Sequence, residues 1–197
     1  MKHNGFEYVD LGLPSGTKWA KCNVGANSET DYGLYFPCGG TVGSSYLHYD
    51  DDFDSHKIKY DGDEKTILHL DNDAAHIHMG GKWHMPTKEQ FEELLDEKNT
   101  VSTWLHGYCN SGASGRLFKS RINNETLFIP ANGYFIRNHI LIQKGVVCSL
   151  WTSSLDFSSV YNCTYFVSNW FEAHISKVSD YYIYMGVRGV FNTFWIK

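Results

Sequence analysis

The sequence has no excess of basic residues, no long apolar run, no closely paired cysteines and none of the short catalytic signatures. Each absence removes a class of function. Lys and Arg number 17 against 22 Asp and Glu, giving a formal net charge of −5, and the basic residues are scattered. Nucleic-acid binding draws on clustered Lys and Arg set against phosphates, so no nucleic-acid partner is expected. No apolar stretch approaches the roughly 20 residues of a membrane-spanning helix, so no membrane insertion is expected. The N-terminal MKHNGFEYVD lacks the apolar core of a signal peptide. The expectation is a soluble chain without a secretion signal of its own: cytoplasmic, part of a phage particle, or the end of a longer exported protein.

Five cysteines, Cys22, Cys38, Cys109, Cys148 and Cys163, form no C-x-x-C pair and leave at least one unpaired. That pattern argues against a disulfide framework and against a cysteine-rich zinc module, so buried free thiols are expected. There is no G-x-S-x-G and no H-E-x-x-H. The glycine-rich GGTVGSS at 39–45 lacks the Lys-Ser/Thr ending of a phosphate cradle. No catalytic residue and no cofactor is expected. The acidic run DDDFD at 50–54 offers hard oxygens but lacks the glycine and distal glutamate of a calcium loop. His69, His76, His78 and His84 cluster in sequence, but His76 and His78 point to different faces of a helix. No metal site is expected.

What the chain does have is 42% hydrophobic residues over 197 positions, enough for one sizeable core. A single domain over residues 1–197 is expected. Residues 6–36 read as short strands, with Pro14-Ser15-Gly16 as a hairpin turn. Residues 37–70 read as a long loop region with a short strand at most. Asp71-Asn72-Asp73 ahead of Ala74, and Gly80-Gly81 behind, predict a short helix. In PTKEQFEELLDEK, Thr87 and Gln90 have capping-box spacing, and Phe91, Leu94 and Leu95 form an apolar stripe. A helix from Lys88 to about Glu97 is predicted, with Glu92-Glu93 on its exposed face. RLFKSRI, TLFIPANGYFI, HILIQKGVVCSLWTSS, YNCTYFVSN, EAHISKV and YYIYMGVRGVF then read as strands of an antiparallel sheet, with INNE, NG and QKG as turns. The fold class is α+β: mostly antiparallel strands, about two helices and long irregular loops.

Aromatics concentrate late. Residues 151–197 hold 13 of the 31 aromatics but only 6 of the 39 charged residues. Two accounts stand. Tyr165, Val167, Ile175, Tyr182 and Tyr184 alternate inward as core, or part of the stretch is a contact surface, where tyrosine gives large area at low entropic cost. Trp170 and Phe171 are neighbours, so at most one is core if both lie in a regular strand.

Six blocks fall in a recognisable order: YVDLGLPSGTKWAKCNVGA, DYGLYF, DNDAAHIHMGGKWHMPTKEQFEELL, LFIPANGYF, LWTSS and GVRGV. Together they resemble the Fibrobacter succinogenes major paralogous domain family, over residues 6–191. The resemblance implies a C-type-lectin-like fold related to formylglycine-generating enzymes. In it, Trp83, Pro86, Thr87 and the segment from Gly186 to Arg188 would be scaffold. His84 stands where the family usually has Arg, and Asn132 where a second Ala is typical, so a buried pair or packing contact there would differ.

The same fold carries variable proteins of diversity-generating retroelements, in which adenines of template Asn codons are randomised. LDFSSVYNC (155–163) and SDYYIY (179–184) contain only residues that this process can produce, and residues 150–190 form the candidate variable region. The resemblance thus implies a non-enzymatic receptor-binding or adhesin domain, on a phage virion or cell surface, that recognises a protein or glycan ligand. Its candidate contacts are Leu155, Asp156, Phe157, Tyr161, Trp170, His174, Tyr181 and Tyr182. The alternatives are a structural module of a surface or virion protein, and a formylglycine-generating type of oxidase using Cys148 and Cys163.

Overall fold

The computed structural model describes residues 1–45, 66–136, 140–156, 162–178 and 182–192. The acidic run at 50–54 lies outside the described residues, as do Phe157, Tyr161 and Tyr181. Among the described residues the chain forms two α-helices and mostly antiparallel strands, an α+β arrangement.

The N-terminal hairpin forms where the turn residues predict it. Gly16 adopts φ 74° and donates its N–H to the Leu13 carbonyl (2.8 Å), a left-handed step that glycine makes without a Cβ clash. The turn joins β2 (Phe6–Val9) to β3 (Thr17–Asn23), with β1 (Lys2–His3) outside β2. The C-terminal strand β14 (Arg188–Asn192) pairs with the other side of β3, so the sheet order is β1-β2-β3-β14.

Both predicted helices are present. Asp73 caps α1 (Ala74–Met79): one carboxylate oxygen accepts from His76 N–H (2.8 Å) and the other from Met85 N–H (2.7 Å). The left-handed Gly80 ends the helix. In α2 (Lys88–Leu95) both hydrogen bonds of the Thr87–Gln90 capping box are made. This helix stops two residues short of the expected Glu97. Asn99 Nδ2 donates to Glu93 O (2.8 Å) and Thr100 Oγ1 to Leu94 O (2.6 Å), so side chains take over the carbonyls a further turn would have used. Glu93 also departs from expectation. Its carboxylate accepts from the Ser15 N–H (2.7 Å) and hydroxyl, tying α2 to the hairpin turn, while Glu92 stays exposed.

A three-stranded meander follows: β5 (Thr100–Tyr108), β6 (Ala113–Ser120) and β7 (Thr126–Pro130). The first of these strands was not anticipated, because its alternating exposed and half-buried positions contain no apolar run. The largest sheet joins β8 (Tyr134–Ile136), β9 (Ile140–Ile142), β10 (Cys148–Asp156), β11 (Asn162–Ser168), β12 (Ala173–Val178) and β13 (Tyr184–Gly186) in the order β12-β11-β10-β13-β8-β9. The short β4 (Tyr35–Pro37) also pairs with β13. The contact between β10 and β13, at Leu150 and Gly186, is parallel.

Among the described residues two large apolar clusters fill the interior beside a smaller one of Tyr35, Phe135 and Tyr184, and strand periodicity explains how one chain serves both large ones. Successive side chains point to opposite faces, so Cys148 and Leu150 enter a cluster with Trp19, Phe91, Phe118 and Phe166, while Trp151 enters another with Phe36, Met79 and Trp83. Val190 and Phe191 divide in the same way. Strands β10 and β14 therefore lie between two cores.

Backbone bonds between His84 and Val190 (3.0 and 2.8 Å) tie the segment ahead of α2 to the closing strand. The fully buried Arg188 donates to Asn23 Oδ1 (2.8 Å) and to the carbonyls of Ala20 (2.9 Å), Lys21 (2.7 Å) and Phe128 (3.2 Å). Burial pulls its guanidinium down to about 10. Two residues earlier, Gly186 is needed for close approach: a Cβ there would lie 2.8 Å from Asn132 Nδ2. Asn132 itself is buried and brackets Ser149, donating to its carbonyl and accepting from its N–H (both 2.8 Å).

The expectation of free thiols needs correction. Cys38, just after β4, is bonded to Cys163 on β11, with Cα atoms 6.3 Å apart and a sequence separation of 125. Cys22, Cys109 and Cys148 are free. No helix among the described residues is long and apolar enough to cross a membrane.

Candidate ligand-binding surfaces

The late aromatic stretch folds into the triple β10-β11-β12, at one edge of the large sheet. Its inward residues match those expected only in part. Phe166, not Tyr165 or Val167, is fully buried, and it stacks on Phe91 (centroids 4.8 Å, planes 3° apart). Tyr165 and Val167 occupy the opposite face and are half-buried, Tyr165 meeting Trp151 edge-on at 6.0 Å. Of the other three residues read as inward, Tyr184 is buried, Ile175 is half-buried against the Trp19 cluster and Tyr182 is 40% exposed.

At one end of the triple, Leu155 and Asp156 line a groove of about 610 Å³ with Ile175, Ser176 and Lys177, closed from the α2 side by Lys88 and Glu92. Lys177 Nζ lies 2.9 Å from Asp156 Oδ2. A pair this exposed contributes at most about 1 kcal/mol. Its significance is charge balance: among the described lining residues two lysines face two carboxylates.

At the other end, the β11–β12 turn is fixed from below. Asn169 N–H donates to Glu172 O (3.0 Å), and Asn169 Oδ1 accepts from the N–H groups of Phe171 (2.8 Å) and Glu172 (3.1 Å). The buried Arg116 reaches across from β6, donating through Nε to Ser168 Oγ (2.6 Å) and through Nη2 to the carbonyls of Asn169 (2.5 Å) and Glu172 (3.2 Å). Above this clamp Trp170 and Phe171 are 61% and 76% exposed. Neither is core, because they sit in the turn, where strand alternation does not apply. Trp170 forms one wall of an open cleft of about 340 Å³, completed by Trp104 and His106 of β5 and by Gly145 and Val146.

The predicted contacts therefore do not form one cluster. Leu155 and Asp156 share the groove, and Trp170 occupies the opposite end of the hairpin. Register pairs Leu155 with Cys163 and Cys148 with Ser168, and the five residue-to-residue steps between those two rungs on β11 span about 17 Å. His174 is exposed on β12 opposite Val167, 3.9 Å from the Glu172 carboxylate. Tyr182 is exposed between β12 and β13. Sequence reasoning missed Trp104, His106, Val146 and the Arg116 clamp. The signal available was Trp104-x-His106, two positions apart on an unrecognised strand and so on one face of it.

No protein-family model, curated protein or solved structure matches this chain.

Cys148 and Cys163 are not a pair. They stand near opposite ends of the hairpin, and Cys163 is committed to Cys38. Burial pushes the Cys148 thiol up to about 12, and it points at the Ile129 carbonyl (3.3 Å). The histidines are engaged with backbone. His76 Nδ1 lies 3.1 Å from Trp83 O, His78 Nε2 lies 2.8 Å from Thr41 O, and His84 Nδ1 lies 2.8 Å from Met85 O. Burial holds the His84 imidazole below its ordinary pKa and raises the nearby Asp73 carboxyl. Among the described residues no group of three metal-ligating side chains converges.

Proposed function

We propose that the protein is a non-enzymatic ligand-binding protein of C-type-lectin-like fold. In this role it is a single receptor-binding or adhesin domain, carried on a virion or cell surface, that recognises a protein or glycan through its C-terminal third. The observation that carries the proposal is the pair Trp170 and Phe171, 61% and 76% exposed on a turn held by Arg116. Large exposed aromatics on a rigid support lose little entropy on contact, which is the physics of a binding face. The Cys38–Cys163 bond supports a surface location, since such bonds persist in oxidising surroundings. The ordered sequence blocks support membership of the Fibrobacter succinogenes major paralogous domain family, and the composition of 155–163 and 179–184 supports diversification by a retroelement.

The functional test is binding of the labelled full chain to intact bacterial cells, with Leu155→Arg, Trp170→Ala and Tyr182→Ala compared against the unaltered protein. Failure to bind any cell or surface extract would leave a structural module as the better account. Diversification has its own test in the neighbouring DNA: a reverse-transcriptase gene and a near-copy of codons 150–190 differing only at adenines. Absence of both would remove the retroelement and leave binding intact.

A further inference from the structure

We infer that the cleft between Trp104 and Trp170 is a binding site for a neutral carbohydrate, with sugar rings stacked on the indoles. The inference rests on the ligand-binding role proposed above and assigns one ligand class to one end of the hairpin.

Four observations converge on that class. First, among the described residues the walls are two indoles, an imidazole, Val146 (55% exposed) and the backbone at Gly145, with no carboxylate, lysine or arginine. A lining without fixed charge has no counter-ion for a phosphate, a sulfate or an ammonium group. It suits a ligand with an apolar face and a hydroxyl rim, and a pyranose has both. Second, among the described lining residues the one side chain able to accept a hydrogen bond is His106, whose ring is exposed. It stands 6.4 Å from Trp104, centroid to centroid, and tilted by 72°, so it can meet hydroxyls at the edge of a sugar stacked on that indole. Third, a volume of about 340 Å³ lies at the lower end of small-ligand sites, roughly 300–1,000 Å³. It suits one or two sugar units better than an extended peptide, which would need a longer trough.

Fourth, the platform is built in advance. The Arg116 guanidinium lies 5.9 Å from the Trp104 ring centroid while it also holds the carbonyls of Asn169 and Glu172. One buried side chain thus fixes both Trp walls relative to each other. A cation already placed on Trp104 also disfavours a second cation there, which argues against a quaternary-ammonium or methyl-lysine ligand. Arg116 is a positioning residue and does not line the cleft.

The test uses the full chain and affinity electrophoresis through gels containing soluble neutral glucan, mannan, galactan or arabinoxylan, with polygalacturonate as the anionic comparison. Titration of any positive polysaccharide by tryptophan fluorescence then gives an affinity. At least one neutral polysaccharide is expected to retard the protein, and polygalacturonate is not. Trp170→Ala is expected to weaken that binding tenfold or more, Trp170→Tyr to retain most of it, and Val42→Ala, at an exposed position that is not among the cleft residues, to leave it unchanged. Trp170 is exposed, so an unchanged thermal midpoint should accompany Trp170→Ala and separate lost contact from lost folding. Binding should survive a chelator, since no carboxylate is among the described lining residues. Retardation by none of the neutral polysaccharides, full binding by Trp170→Ala, or loss of binding with chelator would each overturn the inference. If no polysaccharide binds while intact cells still capture the protein, the carbohydrate assignment falls and the receptor-binding role stands.

Discussion

Removing the Cys38–Cys163 bond should cost this protein a large share of its stability. The two cysteines are 9% and 8% exposed within the cluster built on Trp83 and Trp151, and they close a loop of 125 residues. In the chain-entropy model, cross-linking a loop of that length removes about 16 cal/mol/K from the unfolded state, or about 5 kcal/mol at 25 °C. Measured losses run to about 2–5 kcal/mol, and total stabilities are about 5–15 kcal/mol, so the reduced protein should be marginal. The assay is urea unfolding followed by tryptophan fluorescence, with and without reductant, and with the double variant Cys38→Ala/Cys163→Ala. Reduction should lower the midpoint sharply and raise the denaturant slope, because the uncrosslinked chain exposes more surface when unfolded. The double variant should match the reduced protein and be insensitive to reductant. Five titratable thiols in the unfolded, unreduced protein, or a midpoint unmoved by reductant, would refute the reasoning.

Other consequences follow from the same packing. Arg188→Met should destabilise by at least about 3 kcal/mol, because buried acceptors left without a donor cost about 1–3 kcal/mol each and the guanidinium serves four of them; urea unfolding measures it. Thr87→Ala removes the acceptor for the Gln90 N–H in the α2 capping box and should cost about 1 kcal/mol by the same assay. Burial raises the Cys148 thiol to about 12 from its ordinary value of 9.0, so the unfolded chain releases that proton first. Its contribution to stability is complete below pH 9 and should decline by about 1.4 kcal/mol over one pH unit above 9. Cys148→Ala should flatten that part of a pH series, and native Cys148 should resist alkylation that readily labels the exposed Cys109.

Local chemistry made part of this fold legible. The Pro14-Ser15-Gly16 turn, the Asp73 cap and the Thr87–Gln90 box are decided by residues within a few positions of one another, and each forms as its sequence predicts. The phase of β11 was not legible for a physical reason. That strand is packed on both faces, so the alternation that would separate Phe166 from Tyr165 and Val167 is erased. β5 was missed for the opposite reason, since a strand so exposed carries no apolar run. The disulfide joins cysteines too distant in sequence for spacing to reveal. Leu155, Asp156, Trp170, His174 and Tyr182 all carry some exposure, but whether they share one site depended on strand register. The other wall of the Trp170 cleft comes from β5, some 65 residues earlier in the chain by position, and Arg116 gives no local sign of holding a turn at 168–172.

The most direct test of ligand recognition by the C-terminal triple is a binding scan on one responsive cell type. Leu155→Arg, Trp170→Ala, His174→Ala and Tyr182→Ala would be compared with Val42→Ala and Ile122→Ala, exposed apolar residues elsewhere in the chain. Loss of binding confined to one or more of the first four, with thermal midpoints unchanged, is the result this account predicts. Unchanged binding by all four, or losses only at Val42 and Ile122, would contradict it.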